Sequence, residues 1–98
     1  MKVFRGENPY FYTEIYDQAG ALVDPATSIT CTVKDPAGAV KVNDLAMTKI
    51  STGKYYYYAY QITATDIVGT GWYWYPKATD GTVITYPKEP EYFEVQDI

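Results

Sequence analysis

Histidine is absent from the 98 residues, cysteine occurs once, and only 20% of the residues are charged. The missing histidine removes Ser-His and Cys-His nucleophile pairs, the commonest general base and the commonest metal ligand. A lone thiol, Cys31, closes no internal disulfide and builds no zinc site. It stands in phase with Ile29 and Val33, which places it in a buried apolar row and makes it a poor nucleophile. The 8 Lys and Arg are scattered among 12 Asp and Glu, for a net charge of −4, so the cation cluster that tracks phosphates is lacking. No apolar run approaches membrane-spanning length, and the amino terminus has no signal-peptide core. These absences predict a chain made and folded in the cytosol, with neither nucleic acid nor membrane as partner.

The acidic residues are spread singly, with no Asp-x-Asp-x-Asp-Gly loop. Asp24 and Asp35 each precede a proline, and turn initiation explains both. Glu14, Glu89, Glu91 and Glu94 have no spacing that makes them a facing carboxylate pair. Gly69-Thr70-Gly71 lacks the Lys and Ser/Thr of a phosphate loop. The expectation is therefore no enzyme: no catalytic, metal or cofactor-binding residue, and no cofactor.

What the chain does have is tyrosine, 12 of them, within an aromatic content of 17%. Two glycine-led ribbons concentrate the rings, Gly53-Lys54-Tyr55-Tyr56-Tyr57-Tyr58-Ala59-Tyr60 and Gly71-Trp72-Tyr73-Trp74-Tyr75. Alternation along such ribbons sends every second ring into a core. In the first, Lys54 fixes the phase, with Tyr55, Tyr57 and Ala59 inward and Tyr56, Tyr58 and Tyr60 outward. Ile62 falls in the outward phase, and a bulge near Gln61 reconciles it. In the second, Trp72 and Trp74 point inward and Tyr73, Tyr75 and Lys77 outward, with Pro76 restricting the strand to an edge or a bulge.

Elsewhere, Phe11, Thr13 and Ile15 share one face of a strand and Tyr10, Tyr12, Glu14 and Tyr16 the other. Ile29, Cys31 and Val33 are the inward set of the cleanest alternation, with Thr30 and Thr32 outward beside the tyrosine stripe. Val40 and Val42 form a short strand, and Leu45, Met47 and Ile50 approach the core. Residues 65–71 read as a linker, Asp80-Gly81 as a hairpin turn, and Tyr92, Phe93 and Val95 as the closing strand. Turns recur every ten or so residues and no helical period is sustained. The predicted architecture is one domain, residues 1–98, an all-β immunoglobulin-like antiparallel sandwich of about seven or eight strands.

Surface is then the remaining source of function. Tyr56, Tyr58 and Tyr60 form the first candidate partner-binding stripe, with Tyr73 and Tyr75 as a second. The plainer reading is that the rings cover a sheet face or pack under a loop; stacking on sugars would produce the same pattern.

The order Asp17-Gln18-Ala19-Gly20, Asp35-Pro36-Ala37-Gly38, Thr52-Gly53-Lys54-Tyr55, Gly69-Thr70-Gly71-Trp72, then Phe93-Glu94-Val95 resembles small immunoglobulin-like structural proteins of tailed bacteriophages and prophages. The same order is similar to macroglobulin-like and bacterial immunoglobulin-like modules of large surface proteins. Pro76-Lys77 departs from the pattern, where another large residue would continue the strand. The resemblance spans nearly the whole chain and rests on turn and core residues, so it speaks first to fold. It implies a virion structural protein (capsid decoration, head-tail adaptor or fibre component) made in the host cytoplasm. Its partners would be capsid or head-tail proteins, or copies of itself on the particle. The alternative is an extracellular or cell-surface adhesive module that binds carbohydrate through exposed tyrosines.

Overall fold

The computed structural model describes residues 1–97. Among them nine strands form, β1 (Lys2–Phe4), β2 (Phe11–Glu14), β3 (Ser28–Lys34), β4 (Val40–Ala46), β5 (Thr48–Ser51), β6 (Lys54–Tyr57), β7 (Gly69–Asp80), β8 (Val83–Thr85) and β9 (Glu91–Gln96). The expectation of seven or eight strands falls short because β1 and β5, three and four residues long, are too brief for a periodic signal. No helix long and apolar enough to cross a membrane is present among the described residues.

The strands make two sheets. The larger runs β1-β9-β7-β3-β4, with β8 paired to the far end of β7, and the smaller runs β2-β6-β5. One pairing is parallel, β1 with β9, so the larger sheet is mixed and the wholly antiparallel expectation is corrected there. The first strand enters beside the last, and no tight turn dictates its direction.

Alternation builds the interior. Trp72 and Trp74 from β7, Phe93 and Val95 from β9, and Cys31 and Val33 from β3 meet Phe11 from β2 and Tyr55 from β6 in one buried cluster. Phe11 joins the layers, its ring 5.0 Å from that of Trp74 and 5.6 Å from that of Phe93. Each fully buried ring of this kind contributes roughly 1.5–3 kcal/mol by leaving water. The result is an all-β, sandwich-like body measuring 43 × 23 × 19 Å. β7, whose 12 residues span about 40 Å at ~3.3 Å per residue, is nearly as long as the body's greatest dimension.

The smaller sheet is also tied to the β2–β3 connection at Gly53. Its φ is 74°, and a Cβ there would lie 2.9 Å from the Ile15 carbonyl oxygen, the Leu22 Cβ and the Val23 nitrogen. The Gly53 N–H donates to Asp24 (2.9 Å), whose carboxylate also accepts from Lys49 Nζ (2.7 Å) and the Tyr55 hydroxyl (2.7 Å). Asp24 therefore clamps the β5–β6 hairpin, a role that turn initiation did not anticipate. Asp35 does head a turn, accepting from the Ala37 and Ala39 N–H groups at 2.9 Å each.

Several placements differ from the sequence reading. β6 stops at Tyr57, so alternation lapses: Ala59 is exposed, and Ile62 is buried by an irregular segment with no bulge required. Of Leu45, Met47 and Ile50 only Met47 is buried, since Leu45 lies on the outermost strand β4 and Ile50 on the outermost strand β5, all four of whose residues are exposed. The supposed linker at 65–71 gives its last three residues to β7. Thr30 and Thr32 lie on the larger sheet opposite Lys77 and Tyr75, away from the Tyr56 stripe.

Pro76 occupies neither an outer edge nor a bulge. The Thr27 N–H donates to the Thr79 carbonyl, so odd-numbered residues of this part of β7 turn their backbone groups toward β3 and Pro76 faces the other side. There β9 pairs as far as Trp74 and β8 begins at Ala78. The missing N–H falls in the gap between them, where no strand needs it.

Candidate functional site

Chemistry-bearing groups do not converge. Among the described residues no group of three or more Asp, Glu or Cys is placed to hold a metal ion. Cys31 is fully buried, and burial pushes its thiol up to about 12. The most enclosed charges are Asp35 and Asp66, bridged by Lys41 Nζ at 3.7 and 3.3 Å. Burial acts to raise Asp66, but bonds from the Thr63 N–H, the Tyr60 hydroxyl and Lys41 outweigh it and hold the carboxyl below its ordinary value. Arg5 donates to the Asp66 carbonyl at 2.6 Å. All of these bonds turn inward and pin the 58–68 segment against the body.

Tyrosine, by contrast, is gathered on the two outer faces. β7 turns Tyr73 and Tyr75 outward because Trp72 and Trp74 fill the interior. Tyr92 sits opposite Tyr73 in the β7–β9 register, and the rings meet at 5.4 Å. Tyr73 and Tyr75 follow at 6.4 Å, and Tyr75 and Tyr86 at 5.9 Å. Four rings from three chain segments thus form one ladder, Tyr92, Tyr73, Tyr75 and Tyr86, whose ends are 65% and 61% exposed. Beside it, over the gap at Pro76, Tyr75, Tyr86, Lys88, Glu89 and Pro90 line a cleft of about 400 Å³. Lys88 lies 5.0 Å from the Trp74 ring centre and 3.3 Å from Glu91, which also accepts from Trp74 Nε1 at 2.8 Å.

The smaller sheet carries the second group. Tyr10 meets Tyr56 at 5.5 Å and Tyr58 at 5.6 Å. Tyr12 and Tyr16 both donate to Glu14, whose carboxyl these bonds hold below its ordinary value. The Tyr12 hydroxyl is correspondingly raised to about 12, chiefly by its bond to Glu14.

The predicted stripe of Tyr56, Tyr58 and Tyr60 is therefore incomplete. Tyr56 is half-buried under Tyr10, Tyr58 is exposed, and Tyr60 turns inward, its hydroxyl bonded to Asp66 at 2.9 Å. Its phase failed because β6 had already ended. Tyr73 and Tyr75 stand outward as expected, though half-buried by their neighbours. Tyr86 and Tyr92 were missed. The signal for Tyr92 was available, since Phe93 and Val95 inward leave Tyr92 outward. Tyr86 follows from the Asp80-Gly81 hairpin, which sets Ile84 opposite outward-facing Thr79 and keeps Tyr86 in the same phase.

Comparison with protein-family models, with curated proteins and with solved structures gives no match to the chain.

Proposed function

We propose that this chain is an immunoglobulin-like, non-enzymatic structural protein of a tailed-phage or prophage particle, docking on capsid or head-tail neighbours through the tyrosine ladder of its larger sheet. The single observation that carries the docking part is the continuity of Tyr92, Tyr73, Tyr75 and Tyr86 on one outer face. Tyrosine offers large contact area at low entropy cost together with a polar tip, which suits a protein surface. Repetition by particle symmetry makes a modest single contact sufficient.

The immunoglobulin part is supported by strand order. A β2-β6-β5 sheet facing β9-β7-β3 extended by β4 corresponds to a B-E-D sheet facing G-F-C with an added C′ strand. Two hallmarks differ: the tryptophans stand on β7, and no cysteine pair ties the sheets. The virion part rests on the sequence resemblance.

The test is co-expression with the structural genes of the candidate particle. Tyr73→Ser with Tyr75→Ser should leave a folded chain that no longer enters the particle. A glycan array of the unsubstituted protein should be blank. Specific glycan binding lost on Tyr56→Ala and Tyr58→Ala would replace this reading with the adhesive one.

A further inference from the structure

Three of the four outermost strands, and β8 beside them, are blunted against further pairing. β4 shifts register twice and carries Asp44 at φ 58°. β5 shifts register between Lys49 and Ser51, while β1 and β8 have three residues each. Irregularity and brevity of this kind keep sheet edges from recruiting other strands. β2 is not blunted. It pairs with β6 without a shift from Phe11 to Glu14, contains neither Lys nor Pro, and among the described residues has no neighbouring strand on its other side.

Its backbone groups can be assigned to sides. The Ile15 N–H donates to the Gly53 carbonyl at 2.8 Å. Alternation then turns Phe11 and Thr13 toward β6, and turns the N–H and C=O of Tyr12 and Glu14 outward. Among the described residues no hydrogen bond reaches either outward N–H, and the one contact to their carbonyls is a long 3.5 Å approach of Thr13 Oγ1 to the Glu14 oxygen.

We infer that β2 pairs antiparallel with β2 of a second copy of this chain, about a two-fold axis at Thr13. That register sets Tyr12 opposite Glu14 of the second copy twice over, each pair exchanging both of its N–H···O bonds. The side chains match as well. Tyr12 already donates to Glu14 within one chain at 2.6 Å, and across the axis the same hydroxyl faces a second carboxylate on the same outer face. Other registers fit worse. An axis at Glu14 sets like charges opposite each other, an axis at Tyr12 draws in Tyr10 from outside the strand, and a one-residue slip exchanges inward for outward side chains. The joined edges give one continuous sheet, β5-β6-β2-β2-β6-β5. This pairing is independent of the docking reading, which uses the opposite face.

Sedimentation velocity over a concentration series, with amide exchange read at single residues, tests it. The expected result is a mass that doubles as concentration rises, with the Tyr12 and Glu14 amides exchanging at least ~10-fold more slowly in the dimer. Tyr12→Pro removes an outward N–H that β6 does not use, along with the exposed-face hydroxyl bond to Glu14, so it should abolish the dimer while the monomer stays folded. If that variant fails to fold, exchange in the unsubstituted protein decides. A monomer at every concentration, a dimer whose Tyr12 and Glu14 amides exchange freely, or a folded Tyr12→Pro dimer would each overturn the inference.

Discussion

Trp72 and Trp74 are fully buried, and each indole N–H has an acceptor, Ile67 O at 2.9 Å and Glu91 Oε1 at 2.8 Å. A ring placed this way combines area burial with a satisfied polar atom. Trp72→Ala should cost about 3–5 kcal/mol in denaturant unfolding, and a loss under ~1 kcal/mol would show that its surroundings collapse onto the void. Gly53→Ala tests a different cause. At φ 74° with backbone 2.9 Å away, a methyl group has no room, and a loss of about 1–3 kcal/mol is expected from strain. The inward tryptophans were legible because alternation in a strand needs only the chain itself. The Gly53 contact was not, because Ile15 and Leu22 come within reach of it only after the fold forms.

At the scale of strands, legibility followed length. β3 and β7 were readable because each holds several full alternations, and β8 because the Asp80-Gly81 turn announces it, while β1 and β5 hold too few. The tyrosine run illustrates the limit: its phase is correct for Lys54 through Tyr57, then fails at Ala59 and Tyr60, where tertiary contacts with Asp66 take over. Pro76 shows the reverse case. It suggested an edge, yet a central strand accommodates it where two flanking strands leave a gap.

The hairpin clamp at Asp24 makes an acid-range prediction. The bond from Lys49 foremost, with those from the Gly53 N–H and the Tyr55 hydroxyl, lowers this carboxyl from 3.8 to about 2. A carboxyl depressed in the folded state binds its proton more readily when unfolded. Its stabilisation is thus complete above the ordinary value and disappears as pH falls toward about 2. Glu14, Asp44 and Asp66, also depressed, act in the same direction. Asp24→Asn should lower Tm at neutral pH and flatten its decline between about pH 4 and 2. Parallel Tm profiles for the two proteins would contradict the clamp.

The molecule as a whole presents two faces rich in tyrosine around a sealed interior. The sandwich-like layering was legible because turns and alternation both report on it, whereas the composition of each face was not. Assembling the ladder required the registers that bring Tyr92 to Tyr73 and Tyr86 to Tyr75, and those are set by pairing between distant segments. Tyr86 and Tyr92 are the ladder's exposed ends, so Tyr86→Ser with Tyr92→Ser should change stability by no more than ~1 kcal/mol while weakening partner docking. A large loss of stability would mean that these rings hold the sheet together.

The most direct measurement is a density map of an assembled particle containing this chain. The expected map shows Tyr73, Tyr75, Tyr86 and Tyr92 buried against a neighbouring structural protein at symmetry-related positions. A map in which that face lies open to solvent, or a particle from which the chain is missing, would contradict the proposed function.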